Sequence, residues 1–420
     1  MTKQKTNFNK FLLLWAGELV SAIGGGLTSF GLGVYVFNET GSASGMALVT
    51  LLAFLPTLLL NVPAGVLADR YDRRILMMLG DGLSALGVIY ILVCMLTGGA
   101  SLTQICIGVF ISSVFSSLLE PSYRATVTDL LNKEEYSKAS GMVSLAGSAR
   151  YLVSPVIAGL ILAVGDVKIL LMIDICTFFL TVATTAVVKR GIETKTDENK
   201  ETFLESFKVG WKAVTEKRGV IILMVVSSIM TCFIGAIQIL VEPMVLAFST
   251  SSVLGVAETV CASGMLVSGI YLGIRGIKKN FVKVLSIALG IAGISMIGTG
   301  VIENIIVICT FGFIFFFVLS FANNSLDYLT RTNIAPELHG RAWGLIGFIT
   351  QIGYVVAYAA FGVLADKIGE INNMGVGRGA AAVIMASGAL LAISAFVLYS
   401  FKDVRDLENK RQTAKEAQEV

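Results

Sequence analysis

The sequence is poor in the residues from which enzymes and metalloproteins build their sites. It holds one histidine, His339, and six cysteines, none of them in a CxxC pair. Isolated residues of these types do not make a histidine proton relay, a zinc site or a redox dithiol. A nucleotide-binding glycine loop, a nucleophile–base pattern and a selectivity-filter signature are also absent from the sequence. These absences argue against a membrane enzyme or channel, and we expect no cofactor and no metal.

Charge is scarce as well. Only 15% of the 420 residues are charged and 55% are hydrophobic, with a mean hydropathy of +0.80, whereas about 25% of a soluble protein is charged. One soluble core could not bury so much apolar surface, so the sequence predicts a membrane protein. Continuous apolar runs of about 20 residues cross lipid as helices, because lipid offers the backbone no hydrogen bonds. The predicted spans are residues 11–37, 45–68, 75–97, 103–123, 138–163, 168–189, 219–247, 252–275, 281–300, 304–329, 340–366 and 377–401.

Lysine and arginine are distributed unevenly between alternate loops. With the N-terminus inside, the outer loops hold only Lys168, Lys367 and Arg378. Cytosolic loops carry such an excess of basic residues, so twelve spans place both termini in the cytosol. The polar start MTKQKTNFNK lacks a small-residue cleavage site after the first span and is predicted to be a cytosolic tail, not a signal peptide. The net charge of +3 follows from the same bias and requires no nucleic-acid partner.

The longest polar interruption separates six spans from six. It divides the chain into an N-terminal half (1–188), a cytosolic linker (189–218), a C-terminal half (219–401) and a cytosolic tail (402–420). Four apolar residues recur in the linker at helical spacing, with lysines around them: Phe203, Phe207, Trp211 and Val214. This pattern predicts an amphipathic helix at the membrane interface, and a plain tether is the alternative.

The sequence repeats itself with a period of three spans. AGVLADR at residues 64–70 returns as FGVLADK at residues 361–367, and Asp81 and Asp174 lie 93 residues apart in the third and sixth spans. Because three is odd, successive three-helix units must lie upside down relative to each other. Inverted three-helix repeats nested in each six-helix half are the design of major facilitator transporters. The predicted fold is therefore an all-α membrane protein of twelve transmembrane helices in two six-helix halves, each of inverted three-helix repeats.

One loop carries a family resemblance. GVLADRYDRR resembles the signature loop between the second and third helices of the major facilitator superfamily, Gly-x-x-x-Asp-Arg-x-x-Arg-Arg. With WAGELVSAIGGGL, TGSASGMAL, YLVSPVIAGL and LHGRAWGL, the chain is similar to the macrolide-efflux branch of that superfamily. The resemblance implies a proton-driven exporter of amphipathic or hydrophobic small molecules in a bacterial plasma membrane, working as a monomer with substrate, protons and lipid as its partners. No motif carries the substrate's identity, so a siderophore, a peptide or a lysolipid is an alternative substrate.

Two features depart from the family pattern. Many relatives have an arginine in the fourth helix that is implicated in proton coupling, but the corresponding stretch here holds Ser112 and Ser113. The glycine-proline motif of the fifth helix survives only as Gly147, Pro155 and Gly159. Proton coupling in this chain therefore requires other residues.

The signature loop implies a conformational latch between the two halves. Its residues are Gly65, Asp69, Arg70, Arg73 and Arg74. Gly65 allows close helix approach, and Asp69 can oppose a helix N-terminus or pair with an arginine. The three arginines are expected to hold the loop at the inner headgroups. The alternative is a simple cluster of charges that sets the topology.

Ionisable residues inside a span cost several kcal/mol and usually face a cavity or a partner. Those in the predicted set are Glu18, Asp81, Glu120, Arg150, Asp174, Glu242 and Asp327. The repeat-related positions of Asp81 and Asp174 indicate structural acids. Glu18 and Glu120 are candidate proton carriers, because a carboxyl in apolar surroundings can exchange protons near neutral pH. Arg150 is the candidate counter-charge of Glu18, and a permanent ion pair that locks the N-terminal half is the alternative. Asp327 is expected to be solvated or to pair with Arg331.

Overall fold

The structure is a computed structural model that describes residues 7–132, 134–189, 208, 211–212, 214–335 and 338–408. No β-strand occurs in these ranges. The helices of more than ten residues are α1 (Phe8–Thr40), α2 (Ala43–Arg70), α3 (Arg73–Thr97), α4 (Leu102–Ser116), α5 (Leu119–Leu130), α6 (Tyr136–Leu152), α7 (Ser154–Val164), α8 (Val167–Lys189), α9 (Arg218–Leu246), α10 (Ser251–Arg275), α11 (Phe281–Val301), α12 (Ile305–Asn333), α13 (His339–Ile371) and α14 (Gly375–Ser400).

Twelve segments of the described chain are long and apolar enough to cross a membrane. Two of them each combine two helices: α4 with α5, from Leu102 to Leu130, and α6 with α7, from Lys138 to Val164. The other ten are single helices. The predicted fold class, an all-α protein with twelve membrane spans, is confirmed.

Local sequence signals set several helix boundaries. Helix α1 ends where Gly41 adopts a φ of 61°, a left-handed conformation that glycine takes at little cost. Helix α2 begins where the Ser42 hydroxyl accepts the N–H of Gly45 at 3.2 Å. Ser101 and Gln104 form a capping box that starts α4. These caps keep the α1–α2 and α3–α4 connections short.

The fourth span is longer than predicted. Helix α5 continues to Leu130, beyond the predicted end at residue 123, although the sequence RATVTDL that follows is too polar for lipid. The Thr126 side chain is fully buried, and its hydroxyl lies 3.8 Å from the sulfur of Met77 on α3. Tertiary contacts therefore extend the helix past the point where its hydropathy falls.

Contacts within the chain group it into two compact units. Unit 1 is residues 1–200 with 249–259, and unit 2 is residues 201–248 with 260–420. In unit 1, α1 packs on α8, α3 on α4 and α8, and α2 on α4. In unit 2, α11 packs on α12 and α14, and α9 packs on α13 and α14.

Most of the predicted linker lies outside the described residues, as do Phe203 and Phe207, so the domain boundaries stay predictions.

The first turns of α10 belong to unit 1 because small residues let α10 approach α7 closely. A Cβ built at Gly159 would lie 2.9 Å from the carbonyl oxygen of Ser251, and Gly255 faces the carbonyl of Pro155 in the same way. The Ser252 hydroxyl donates to the Gly159 carbonyl at 3.0 Å. Pro155 and Gly159, the remnants of the glycine-proline motif, thus serve as a backbone contact surface.

Residues 402–408 form a short helix that docks on unit 2. The Glu408 carboxylate accepts the backbone N–H groups of Phe281 and Val282 at 2.9 and 3.1 Å and so caps the start of α11. The Asn333 amide, at the end of α12, donates to the carbonyl of Leu407 at 3.4 Å. The predicted tail therefore begins as a packed part of the C-terminal unit.

Candidate functional site

The start of α3, which carries the last two arginines of the signature loop, is held by an acidic residue of α5. Nη1 of Arg73 donates to Oδ1 of Asp129 at 2.7 Å, and Nη2 of Arg74 lies 3.5 Å from Oδ2 of the same residue. Arg73 also donates to the carbonyls of Ala68 and Ala125 at 3.2 and 3.4 Å. The Arg74 side chain is 1% exposed and that of Asp129 is 19% exposed. One carboxylate thus ties the loop to the fourth span.

This arrangement corrects the predicted role of Arg73 and Arg74. The guanidinium groups of Arg73 and Arg74 bind a largely buried carboxylate, so little of either side chain is exposed to contact lipid headgroups. Arg70, in contrast, is exposed. Asp129 was not among the predicted site residues. The sequence does contain a signal for it, because Asp129 follows the fourth predicted span on the cytosolic side, where the three arginines of the signature loop are also predicted to lie.

Asp69 and Gly65 are the latch residues on α2. The Asp69 carboxylate lies 4.0 Å from Nη2 of Arg73, and its side chain is 35% exposed. No described atom lies within 4 Å of a Cβ built at Gly65, so the close helix approach predicted there is not made in this structure. Asp72 caps the start of α3 and lies 3.9 Å from Nζ of Lys189. The latch itself stays a prediction.

A second polar region lies where glycines of α1 make room for side chains of α8. A Cβ at Gly24 would lie 2.8 Å from Oδ1 of Asp174 and closer still to the Thr177 hydroxyl, and Gly17 faces Thr184 in the same way. The Thr177 hydroxyl donates to the backbone carbonyl of Asp174 at 2.8 Å and lies 3.3 Å from its carboxylate. The Asp174 side chain is fully buried. The glycine-rich stretch of α1 therefore serves close packing around a buried carboxyl.

Asp81 reaches the same region from α3. Its side chain is buried, is in polar contact with Thr181 of α8, and interacts electrostatically with Glu18 and Asp174. Glu18 is half-buried on α1. We call Glu18, Asp81 and Asp174 the acidic cluster. The structural role predicted for Asp81 and Asp174 stays a prediction.

Arg150 does not pair with Glu18. Its side chain is exposed, it interacts electrostatically with Asp174, and the described residues contain no ion pair that joins it to Glu18. The Arg150 carbonyl oxygen lies 2.9 Å from a Cβ built at Gly26. Gly26 is eight residues beyond Glu18, a rise of about 12 Å along the helix. The backbone of Arg150 therefore meets α1 about two turns from Glu18, and the pair predicted between the two side chains is absent from the described residues.

Glu120 is not buried within the fourth span, contrary to the prediction. It lies in the first turn of α5, its side chain is 64% exposed, and Oε1 accepts two hydrogen bonds from the Arg124 guanidinium at 2.9 and 2.8 Å. An exposed, paired carboxylate lacks the apolar surroundings on which its predicted role as a proton carrier rested. Asp327 pairs with Arg331 at 3.3 Å, as predicted.

Glu258 is a further ionisable residue inside a span that was absent from the predicted set. It is half-buried on α10. Like the predicted acids, it is an ionisable residue inside a span, and such residues usually face a cavity or a partner. Its neighbour Thr259 donates to the carbonyl of Leu152 at 3.0 Å, beside the break between α6 and α7.

Among the described residues, no group of three histidine, cysteine, aspartate or glutamate side chains could hold a metal ion.

Two comparisons with known sequences are informative. The chain is similar to macrolide efflux protein A of Streptococcus pyogenes, with 24% identity over 408 residues that cover 96% of this chain and 98% of that protein. It is also similar to the staphyloferrin A transporter of Staphylococcus aureus (strain NCTC 8325 / PS 47), with 28% identity over 180 residues that cover 42% of this chain and 43% of that protein.

The fold and the family model agree with these similarities. A crystal structure of a bacterial homologue of the human lysosomal transporter Spinster matches 97% of this chain and 98% of its own with a TM-score of 0.74, at 14% identity. The model of the Major Facilitator Superfamily matches residues 14–358. Because that match spans most of the twelve predicted spans, the chain belongs to the Major Facilitator Superfamily and is a multi-pass membrane transporter, not an enzyme.

Proposed function

We propose that this transporter exports amphipathic or hydrophobic small molecules, such as macrolides, in exchange for protons and by alternating access. The similarity to macrolide efflux protein A supports this proposal because it extends over nearly all of both chains. The distribution of lysine and arginine supports an orientation with both termini in the cytosol, and the similarity to bacterial transporters supports a location in a bacterial plasma membrane. The transporter acts as a monomer.

The acidic cluster is the observation that carries the proton-coupled part of the proposal. Asp81 and Asp174 are buried and Glu18 is half-buried, on three different helices of unit 1. Like charges in surroundings of low dielectric constant repel one another more strongly than they do in water. Loading one carboxyl of such a cluster with a proton therefore changes the energy of the helix arrangement around it.

Glu18 is the member of the cluster that we assign to proton exchange, because it is less buried than the other two. A proton from outside binds Glu18 and removes its repulsion of Asp81, the member of the cluster on α3. Release of the proton on the cytosolic side restores the repulsion within the cluster. A substrate that binds the two states with different affinity then moves against the proton, since only differential affinity shifts such an equilibrium.

The test is transport of a labelled macrolide in inside-out membrane vesicles with an imposed pH gradient. Glu18→Gln should abolish uphill accumulation and leave downhill exchange, because the amide mimics a carboxyl that is always protonated. Glu39→Gln is the matched control, since Glu39 is exposed near the other end of α1 and should keep wild-type accumulation. If Glu18→Gln still concentrates the drug against its gradient, Glu18 is not the proton carrier.

The latch belongs to the same proposal. Asp69 and Arg70 lie at the end of α2, and Arg73 and Arg74 are tied to Asp129. This loop biases the exchange between the two alternating states, and a bias of 1–3 kcal/mol is typical of such couplings, at about 5- to 150-fold in population. Asp69→Asn should therefore lower the rate of transport at an unchanged amount of folded protein. An unchanged rate would leave the loop a topological signal only.

A second candidate function is the transport of a siderophore. The partial similarity to the staphyloferrin A transporter favours it. A drug-susceptibility panel in an efflux-deficient host separates the two functions, because a siderophore exporter would alter siderophore release without protecting the host from macrolides.

A further inference from the structure

A cavity of about 210 Å³ lies within unit 2, between α9, α12 and α13. Most of its wall is apolar, with Leu223 and Met224 from α9, Leu326 from α12 and Ile346 from α13. The cavity lies near the first turns of α9 and α13 and the last turns of α12. These turns are predicted to face the cytosol. None of its lining residues belongs to the acidic cluster.

One side of the cavity carries a carboxylate beside an aromatic ring. Asp327 and Trp343 both line it, and the guanidinium of Arg331 contacts both. Nε and Nη2 of Arg331 lie 3.3 Å from the carboxylate oxygens of Asp327, and its Cζ lies 5.5 Å from the centroid of the Trp343 ring. A carboxylate with an indole face is a favourable place for a cation, and a cation of the protein itself occupies it.

The ion pair between this internal cation and Asp327 is exposed to solvent. The Arg331 and Asp327 side chains are 57% and 54% exposed, and they are four residues apart on one helix. Exposed pairs of this kind contribute little, because water competes for both charges. A cation that carries its own apolar group gains burial against the cavity wall in addition, so it can displace the guanidinium into water.

We propose that this cavity binds the ammonium group of an amphipathic organic cation, with Asp327 pairing with the charge, Trp343 packing on it and the apolar wall enclosing the attached ring. The volume sets the size of the bound part. A cavity of about 150 Å³ holds benzene, so this one admits a single ring with a few added atoms and not a whole macrolide. The inference rests on the proposed function, because it makes the cavity the first cytosolic contact for an amine-bearing substrate, but binding is measured without transport.

The experiment compares benzyltrimethylammonium with its uncharged isostere, neopentylbenzene, by isothermal titration calorimetry on the full-length protein in detergent. The cation should bind at least about tenfold more tightly, since its charge meets a carboxylate at the cavity rim. Asp327→Asn should remove that difference, and Trp343→Leu should weaken cation binding several-fold. Arg331→Gln should strengthen it several-fold, because the competing guanidinium is gone. Glu370→Gln is the matched control, since Glu370 is an exposed acid at the other end of α13.

Equal binding of the charged and neutral probes, or unchanged cation binding by Asp327→Asn at an unchanged melting temperature, would overturn the site. Weaker binding to Arg331→Gln would also overturn it, since the guanidinium would then be part of the site and not its competitor. The outcome is distinct from that of the proposed function. Cation binding without any drug export leaves the site standing and removes the export proposal, whereas export without cation binding does the reverse.

Discussion

Asp129→Asn tests how strongly the α2–α3 loop is bound to the fourth span. The substitution keeps the shape of the side chain and removes the negative charge that two arginines share. Arg73 contacts this carboxylate at 2.7 Å and Arg74 at 3.5 Å. The amide retains an oxygen that accepts a hydrogen bond, so the measured loss reports the charge and not the packing.

The burial of the three side chains decides the magnitude. Removing one partner of a buried ion pair costs about 3–5 kcal/mol, whereas an exposed pair contributes about 0–1 kcal/mol. Arg74 is 1% exposed, and Asp129 and Arg73 are 19% and 18% exposed, which places the site nearer the buried limit. We expect a loss of about 2–4 kcal/mol. Asp69→Asn is the matched comparison and should cost less than about 1 kcal/mol, because Asp69 is 35% exposed and 4.0 Å from Arg73.

Thermal unfolding of the purified protein in detergent, scanned at one rate, measures both variants. One kcal/mol lowers the midpoint by about 2–4 °C for a cooperative unit of 150–250 residues. Asp129→Asn should therefore lower it by about 5–15 °C, and Asp69→Asn by less than about 4 °C. Adding Arg73→Gln to Asp129→Asn should cost less than the sum of the two single changes, because both break the same contact. Equal midpoints for Asp129→Asn and Asp69→Asn would refute the reasoning that Asp129 holds the loop.

Three further predictions concern packing, capping and orientation. Gly24→Ala should reduce the folded fraction seen by size-exclusion chromatography, because the added methyl group meets α8 at a cost of about 1–3 kcal/mol. Gly25→Ala should be tolerated, since no described atom lies within 4 Å of a Cβ built at Gly25. Equal yields of the two variants would contradict this prediction. Glu408→Ala should lower the unfolding midpoint by about 2–4 °C, since it removes a cap of about 1 kcal/mol from the start of α11, and an unchanged midpoint would mean that the cap contributes nothing. In a cysteine-free background, cysteine at Ser101 should react with an impermeant thiol reagent on intact cells and cysteine at Lys279 only after permeabilisation. The reverse pattern would overturn the predicted orientation.

Much of the fold could be predicted from the sequence because membrane insertion depends on local properties. Apolar runs of sufficient length predict helices directly, since lipid leaves the backbone no other hydrogen-bond partners. The number of spans follows from such runs, and the caps at Ser42 and Ser101 depend on residues only three positions away. The fourth span is the exception: its helix runs past its apolar stretch because Thr126 and Asp129 find partners on α3.

The sequence by itself determined which apolar stretches carry ionisable side chains, and only the tertiary structure decided which of those side chains are buried and which of them meet. Arg150 and Glu18 both come from spans of unit 1, yet the Arg150 backbone packs on Gly26, about two helical turns from Glu18, and the Arg150 charge acts on Asp174. Glu120 falls in an apolar window but faces outward with Arg124. Asp129 pairs with two arginines at the start of α3, more than fifty residues away in the sequence. Such pairings depend on the rotation and vertical offset of helices that are distant in sequence, and hydropathy carries no information about either quantity.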